Sequence, residues 1–223
     1  MAYLRCSYCG TFVDEQFQVC PQCGSRLTDD RPKKKRGGAA IVWIVILVFL
    51  AAVGFFGLRA YRAYQEQAYE EKLRTAVYEI MMSAVDTEEA GNLLHSVWYN
   101  CIFQVQDPET DKYTRRNGGT GSFYEDFNDA IDVLYADPDY SAKMEGIMDS
   151  QYDLAQLMRE LSDPPEKYKR DYEDLRTLYT AYVEFANIVT NPQGNLQSFT
   201  DKFNAADEKV VSCFYPLSMY VNG

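Results

Sequence analysis

The sequence predicts an all-α fold: an antiparallel helical bundle carried on a single membrane-spanning helix, with a small cysteine-rich head in front of it. Three observations predict this. Residues 39–58 read AAIVWIVILVFLAAVGFFGL, twenty residues without a charge; at ~1.5 Å per residue they span roughly 30 Å, the hydrocarbon thickness of a bilayer. Residues 59–223 repeat apolar side chains at steps of three and four. Four of the six cysteines are paired at C-x2-C spacing within the first 23 residues. The chain therefore divides into a head (1–28), a basic linker (29–38), the apolar helix (39–58) and a helical domain (59–223).

The apolar run is longer than the 7–15 residues of a cleaved signal peptide, and its exit, Gly57-Leu58-Arg59-Ala60-Tyr61, is not a small-x-small cleavage site. A soluble helix is not normally apolar on every face over this length. A retained anchor is therefore expected. Orientation follows from Arg31-Pro32-Lys33-Lys34-Lys35-Arg36 in front of the run, against Arg59 and Arg62 diluted by Glu66, Glu70 and Glu71 behind it. Basic residues stay on the cytoplasmic side, so the N-terminus is expected in the cytoplasm and residues 59–223 outside it. Trp43, Tyr61 and Tyr64 fall where interfacial aromatic belts lie. Residues 1–38 carry seven Lys/Arg against four Asp/Glu, and residues 59–223 carry fifteen against twenty-nine. The resulting −14 on the exported part disfavours nucleic acid and anionic lipid; it either keeps the domain soluble or suits a cationic partner.

In the head, Cys6-Ser7-Tyr8-Cys9-Gly10 and Cys20-Pro21-Gln22-Cys23-Gly24 are two knuckles ten residues apart. Four thiolates so spaced close a tetrahedron around one Zn²⁺, at Zn–S distances of ~2.3 Å. Cys6, Cys9, Cys20 and Cys23 are thus the candidate metal ligands. Glycine after each second cysteine suits the tight knuckle, and Thr11–Val13 and Ser25–Leu27 are candidate strands. About thirty residues bury too little apolar surface to fold alone, so the metal is expected to supply the folding free energy. Disulfides are disfavoured in a reducing cytoplasm, a thioredoxin-type motif lacks its βαβ context, and four cysteines leave no open position for metal catalysis.

With its C-P-x-C-G second knuckle, basic linker and anchor helix, this head resembles the zinc-ribbon domains at the cytoplasmic N-terminus of many bacterial single-pass membrane proteins. Ser7 replaces the usual proline of the first knuckle and leaves the ligands intact. The resemblance covers roughly residues 6–27 and the domain order. It implies a structural zinc and a bacterial plasma membrane, and nothing about residues 59–223.

Apolar stripes in the tail run through Tyr69, Leu73, Ala76, Ile80 and Ala84; Ala90, Leu94, Val97, Cys101 and Val105; Phe123, Phe127, Ala130 and Leu134; Tyr168 to Val189; and Leu196 to Cys213. Steps of three and four over several turns mean amphipathic helices. Asp86/Glu89, Ser122/Glu125 and Asp163/Glu166 read as capping boxes, and Asp137-Pro138-Asp139 and Asn191–Asn195 as breaks. Six helices are expected, over 59–85, 87–105, 122–136, 139–161, 164–190 and 196–215, the first continuing out of the membrane without a break. Short links favour antiparallel neighbours. Most of the sixteen tyrosines here are expected in the core with hydroxyls at its rim, whereas Tyr61, Tyr64, Tyr113, Tyr124 and Tyr140 need no burial.

Catalytic patterns are lacking. His95 is the only histidine and reads as a helix residue without a partner. The glycines at 118, 119 and 121 precede no Lys-Ser/Thr, and Asp107, Glu109 and Asp111 do not fit an EF-hand. Cys101 and Cys213 are either a disulfide between two helices or two buried thiols. The reading that results is a non-enzymatic membrane protein of the cell envelope, with a structural zinc ribbon in the cytoplasm and an exported bundle that contacts a protein partner. A transmembrane adaptor coupling a cytoplasmic partner to the bundle is an alternative, and an envelope enzyme using carboxylates another. Nucleic acid is not an expected partner, because the basic run already serves topology and no recognition helix follows it. No small-molecule ligand is legible.

Overall fold

The computed structural model describes residues 3–27 and 38–221. The basic run Arg31–Arg36, on which the orientation argument rests, lies outside the described residues. The protein falls into two units, Met1–Gly57 and Leu58–Gly223.

In the first unit, β1 (Tyr3–Arg5) pairs antiparallel with β2 (Phe12–Asp14), with Leu4 opposite Val13. Strand β1 was not anticipated from sequence. The strand expected over Ser25–Leu27 is reduced to a single bridge between Val19 and Arg26. Cys6, Val13 and Cys20 are the buried core, with Leu27 packed on them. Helix α1 (Gly38–Phe103) begins in this unit. It is the one helix among the described residues long and apolar enough to cross a membrane.

The second unit is mostly helical. The upper part of α1 is followed by two single-turn helices, α2 (Asp111–Thr114) and α3 (Arg116–Gly119), then α4 (Phe127–Tyr135), α5 (Pro138–Glu160), α6 (Lys169–Thr190) and α7 (Leu196–Phe214). Apart from Phe123, which pairs with Arg115 outside the core, and Val105, the stripes read from the sequence form one continuous core, from Tyr69 and Leu73 through Leu94, Leu134 and Ile147 to Phe185 and Phe199. Ser83 and Tyr182 share a hydroxyl hydrogen bond of 2.5 Å inside it, and Tyr69 donates to the Leu161 carbonyl at 2.9 Å. These buried hydroxyls are partnered, as burial requires, whereas the Tyr135 hydroxyl and Trp98 Nε1 are buried without a partner among the described residues.

Several boundaries differ from expectation. No break occurs near residue 86. No Gly or Pro interrupts α1 there, Thr87 Oγ1 bonds the Ser83 carbonyl within the helix at 2.7 Å, and the supposed capping carboxylates of Asp86 and Glu89 instead face Lys143 on α5. Helix α1 ends at Phe103, so Val105 is exposed and outside the stripe. Helix α4 starts at Phe127 and not at 122, because residues 122–124 pair with 114–116: Arg116 N donates to Ser122 O and Tyr124 N to Thr114 O. The cap is Asp126, whose carboxylate accepts from Asn128 N at 2.9 Å. Asp163 caps nothing; after Pro164 and Pro165 a 3-10 turn (Glu166–Tyr168) delays α6 to Lys169. Asp137 caps α5 and Asn195 caps α7 in a reciprocal pair with Ser198, which agrees with the breaks read there.

Tyr113 and Tyr140, which the sequence did not require to be buried, are buried; their hydroxyls reach Asp137 Oδ2 at 3.2 Å and Ala90 O at 3.4 Å. Asp107, Glu109 and Asp111 fold the 104–123 connection instead of gathering round a cation. Asp107 accepts from Asn100 and Thr110, and Asp111 accepts from the Asp107 amide and pairs with Arg115 at 3.2 Å.

Cys101 and Cys213 are both free thiols. Cys101 is buried with its Sγ 3.6 Å from the Tyr124 carbonyl; burial, with Asp126 and Asp129 nearby, pushes its thiol above the usual range and makes it unreactive. Mass spectrometry of unfolded, unreduced protein is expected to find both thiols alkylatable. A linked Cys101–Cys213 peptide would contradict this.

Candidate metal centre

The two knuckles repeat one backbone pattern. In the first, Gly10 N donates to Cys6 O at 2.9 Å and Cys6 N to Thr11 O at 2.9 Å. In the second, Gly24 N donates to Cys20 O at 2.8 Å and Cys20 N to Ser25 O at 2.8 Å. Gly10 and Gly24 close these turns at φ of 77° and 68°, left-handed values that cost glycine nothing. The β1–β2 pair flanks the first turn, and the Val19–Arg26 bridge flanks the second.

The four Sγ atoms all lie within 4.8 Å of one another. Cys6 Sγ is 3.7 Å from Cys23 Sγ, and Cys9 Sγ is 3.6 Å from Cys20 Sγ. Thiolates at ~2.3 Å from a common tetrahedral ion stand about 3.8 Å apart, whereas a disulfide brings sulfurs to ~2.05 Å. The spacing therefore fits a shared metal ion and excludes a bridge. No other group of three or more His, Cys, Asp or Glu side chains among the described residues has such geometry. Cys6 and Cys20 are buried while Cys9 and Cys23 are exposed, so the site is anchored in the head's small core and open at one edge.

Two hydroxyls complete it. Ser25 Oγ is 3.3 Å from Cys6 Sγ and 3.0 Å from Cys23 Sγ, and Thr11 Oγ1 is 3.4 Å from Cys9 Sγ. Hydrogen bonding from Ser25 and from the amides of Cys9 and Tyr8 brings the Cys6 thiol down to about 6, and Thr11 lowers Cys9. Burial pushes Cys20 up to about 11. A metal must displace a proton from Cys20, so loading releases protons. The hydroxyls were not singled out from sequence, yet each stands two residues after the second cysteine of its knuckle, in Cys9-Gly10-Thr11 and Cys23-Gly24-Ser25. Outer partners of this kind orient ligands.

His95 lies far along the chain from this centre, half-buried on α1, with its ring stacked on Tyr99 at 6.1 Å and burial lowering its pKa. The Gly118–Gly121 segment is a tight surface turn whose backbone is left-handed at Asn117, Gly118 and Gly119.

A search with protein-family models matches residues 2–27 to a zinc-ribbon domain. Neither the curated proteins nor the solved structures contain a match to the chain. Family match and sulfur geometry agree: the N-terminal residues 2–27 are a zinc-ribbon domain with its four cysteines gathered at one point.

Proposed function

We propose that this protein is a membrane-anchored binding protein, with Cys6, Cys9, Cys20 and Cys23 holding a structural zinc in the cytoplasm and residues 59–223 forming an antiparallel helical bundle outside it. The observation that carries the reading is the exposure of α1. From Val42 to Leu58 its large apolar side chains are exposed, Trp43, Ile44, Leu47, Phe49, Leu50, Phe55 and Phe56 each by about 60% and Ile46 by 40%. No described residue covers them, and an apolar surface of this extent requires lipid or another protein. The positive-inside argument from Arg31–Arg36 sets the direction, and the resemblance of the head supports a bacterial envelope.

Ion pairs support the antiparallel arrangement. Lys72 meets Glu160 at 2.7 Å, while Glu89 meets Lys143, so α1 and α5 run in opposite senses. Exposed pairs such as these contribute little energy, but they report direction. The non-enzymatic reading rests on the all-cysteine metal set, which suits structure and not catalysis, and on a lone histidine without a carboxylate or thiol partner. The unbroken course of α1 from Gly38 to Phe103 also favours the adaptor alternative, in which a protein bound at one end is coupled to one at the other.

Topology is tested with a membrane-impermeant thiol reagent on intact cells carrying a Cys213→Ser background. Asn117→Cys is expected to be labelled from outside, and Gln18→Cys only after permeabilisation. The reverse pattern would overturn the orientation; labelling of neither in whole cells would overturn export. Capture from membranes by the full chain and by residues 59–223 alone then separates partners of the bundle from partners of the ribbon.

A further inference from the structure

A cleft of ≈470 Å³ opens between the last turns of α1 and the first turn of α7. That volume falls in the range of small-molecule sites. Its walls are rings. His95, Tyr99 and Phe103 stand at successive fourth positions of α1, so they form one ladder along the helix, with ring centroids 6.1 Å and 4.5 Å apart. Trp98, on the adjoining face, stacks on Phe127 of α4 at 5.4 Å. Trp98 is buried, but Tyr99 is 42% and Phe103 58% exposed. The chain thus leaves aromatic faces uncovered beside a hollow at a helix end.

The charges around these faces select the ligand. Among the described residues no Lys, Arg, Asp or Glu lines the cleft, so none of them occupies the rings and no ion pair there must be broken on binding. Burial lowers the pKa of His95. Helix α1 ends at the mouth with Phe103, but α4 begins there at Phe127 and α7 at Leu196, so the negative end of one macrodipole is offset by the positive ends of two others and the helix ends do not set the sign of the field. Asp126 directly precedes Phe127 and Asp201 directly follows Thr200, a lining residue. Residues 59–223 carry fifteen Lys/Arg against twenty-nine Asp/Glu, so the surrounding potential repels anions and draws in cations. Aromatic faces on an acidic domain, without a carboxylate to form a salt bridge, favour a cation that is weakly hydrated and apolar at its rim. A quaternary ammonium has that character, and aromatic cages are its usual receptors; a lysine-type ammonium is strongly hydrated and would find no carboxylate here to offset its desolvation.

We propose that the cleft formed by His95, Trp98, Tyr99, Phe103 and Phe127 binds a quaternary ammonium group. The assignment rests on the reading of residues 59–223 as a binding domain and names the chemistry it would take. The test is calorimetric titration of the full chain in a maltoside detergent with choline chloride, against sodium chloride at equal ionic strength, and with 3,3-dimethyl-1-butanol, which has the same shape without the charge. Choline is expected to bind saturably, at least tenfold more tightly than its neutral isostere. Tyr99→Leu with Phe103→Leu is expected to weaken choline at least tenfold while leaving the thermal melt unchanged, since both rings are solvent-exposed. Equal affinity for the isostere would make the cleft merely apolar and overturn the proposal. So would undiminished choline binding in the double variant, or no saturable binding up to about 20 mM choline. None of these outcomes alters the labelling pattern that tests topology, so the two readings fail separately.

Discussion

Replacing Cys20 with serine, or stripping the metal with a chelator, is expected to unfold residues 3–27 and leave the helical domain folded. The head's buried apolar core consists of Cys6, Val13 and Cys20, with Leu27 against it, so two of its three members are candidate ligands. Two three-residue strands and one bridge cannot offset the ordering entropy of 25 residues at ~1–2 kcal/mol each. Structural zinc contributes roughly 10–16 kcal/mol in comparable small domains. Cys20 is the most buried ligand, at 1% exposure, and serine there leaves a poor ligand in a desolvated position. The helical domain has its own core, from Tyr69 to Tyr220, and is expected to keep its melting transition. The checks are the zinc content of freshly purified protein, expected at one equivalent per chain, and amide resonances of the head before and after chelation. A content well below one equivalent, or a head that stays folded without metal, would refute the assignment.

Gly91→Ala is expected to destabilise the helical domain by about 2–3 kcal/mol. On propensity alone the substitution should help, since glycine costs ~1 kcal/mol against alanine inside a helix. Packing reverses the sign. A Cβ at position 91 would lie 2.1 Å from Cε2, 2.8 Å from Cζ and 2.9 Å from Cδ2 of Phe203. That ring cannot retreat: it is 5% exposed and packs against Phe185 and Phe199, at centroid distances of 5.2 Å and 5.8 Å. Overpacking a filled core typically costs ~1–3 kcal/mol, and the three simultaneous contacts put this site at the upper end. For a domain of this size the melting temperature should fall by about 5–10 °C. Phe203→Leu alone should also destabilise, by leaving a cavity, but combined with Gly91→Ala it should cost less than the sum of the two. Strict additivity in that double-mutant cycle, or a Gly91→Ala protein that melts higher, would show that the ring and the glycine are not in contact.

The metal centre was legible in the sequence because its geometry is local: two residues between cysteines set the bite of each knuckle, and one glycine after each closes it. Ser25 and Thr11 escaped notice because a hydroxyl becomes a partner of a sulfur only once the turn is folded. The aromatic cleft was not legible at all. His95 reads as a lone histidine, Tyr99 and Phe103 as ordinary helix residues, and the hollow exists only because α7 begins where it does.

What the sequence by itself determined is whatever depends on neighbours a few residues away. The charge-free run of 39–58 has the length to cross a bilayer, the paired cysteines have metal spacing, and the stripes from Leu73 to Val210 had to turn inward, because hydrophobic periodicity and helix geometry share one period. Tertiary structure decided what depends on contacts between distant segments. It carried α1 through Asp86 and Glu89, since a capping box does not end a helix whose next turns, at Ala90, Leu94 and Val97, are needed to fill the same core. It moved the start of α4 from Ser122 to Phe127 by pairing 122–124 with 114–116. It buried Tyr113 and Tyr140 by giving their hydroxyls Asp137 and the Ala90 carbonyl, and it made Gly91 indispensable by setting Phe203 against it. In each case the backbone preference is worth about 1 kcal/mol or less, and the burial that overrides it is worth more.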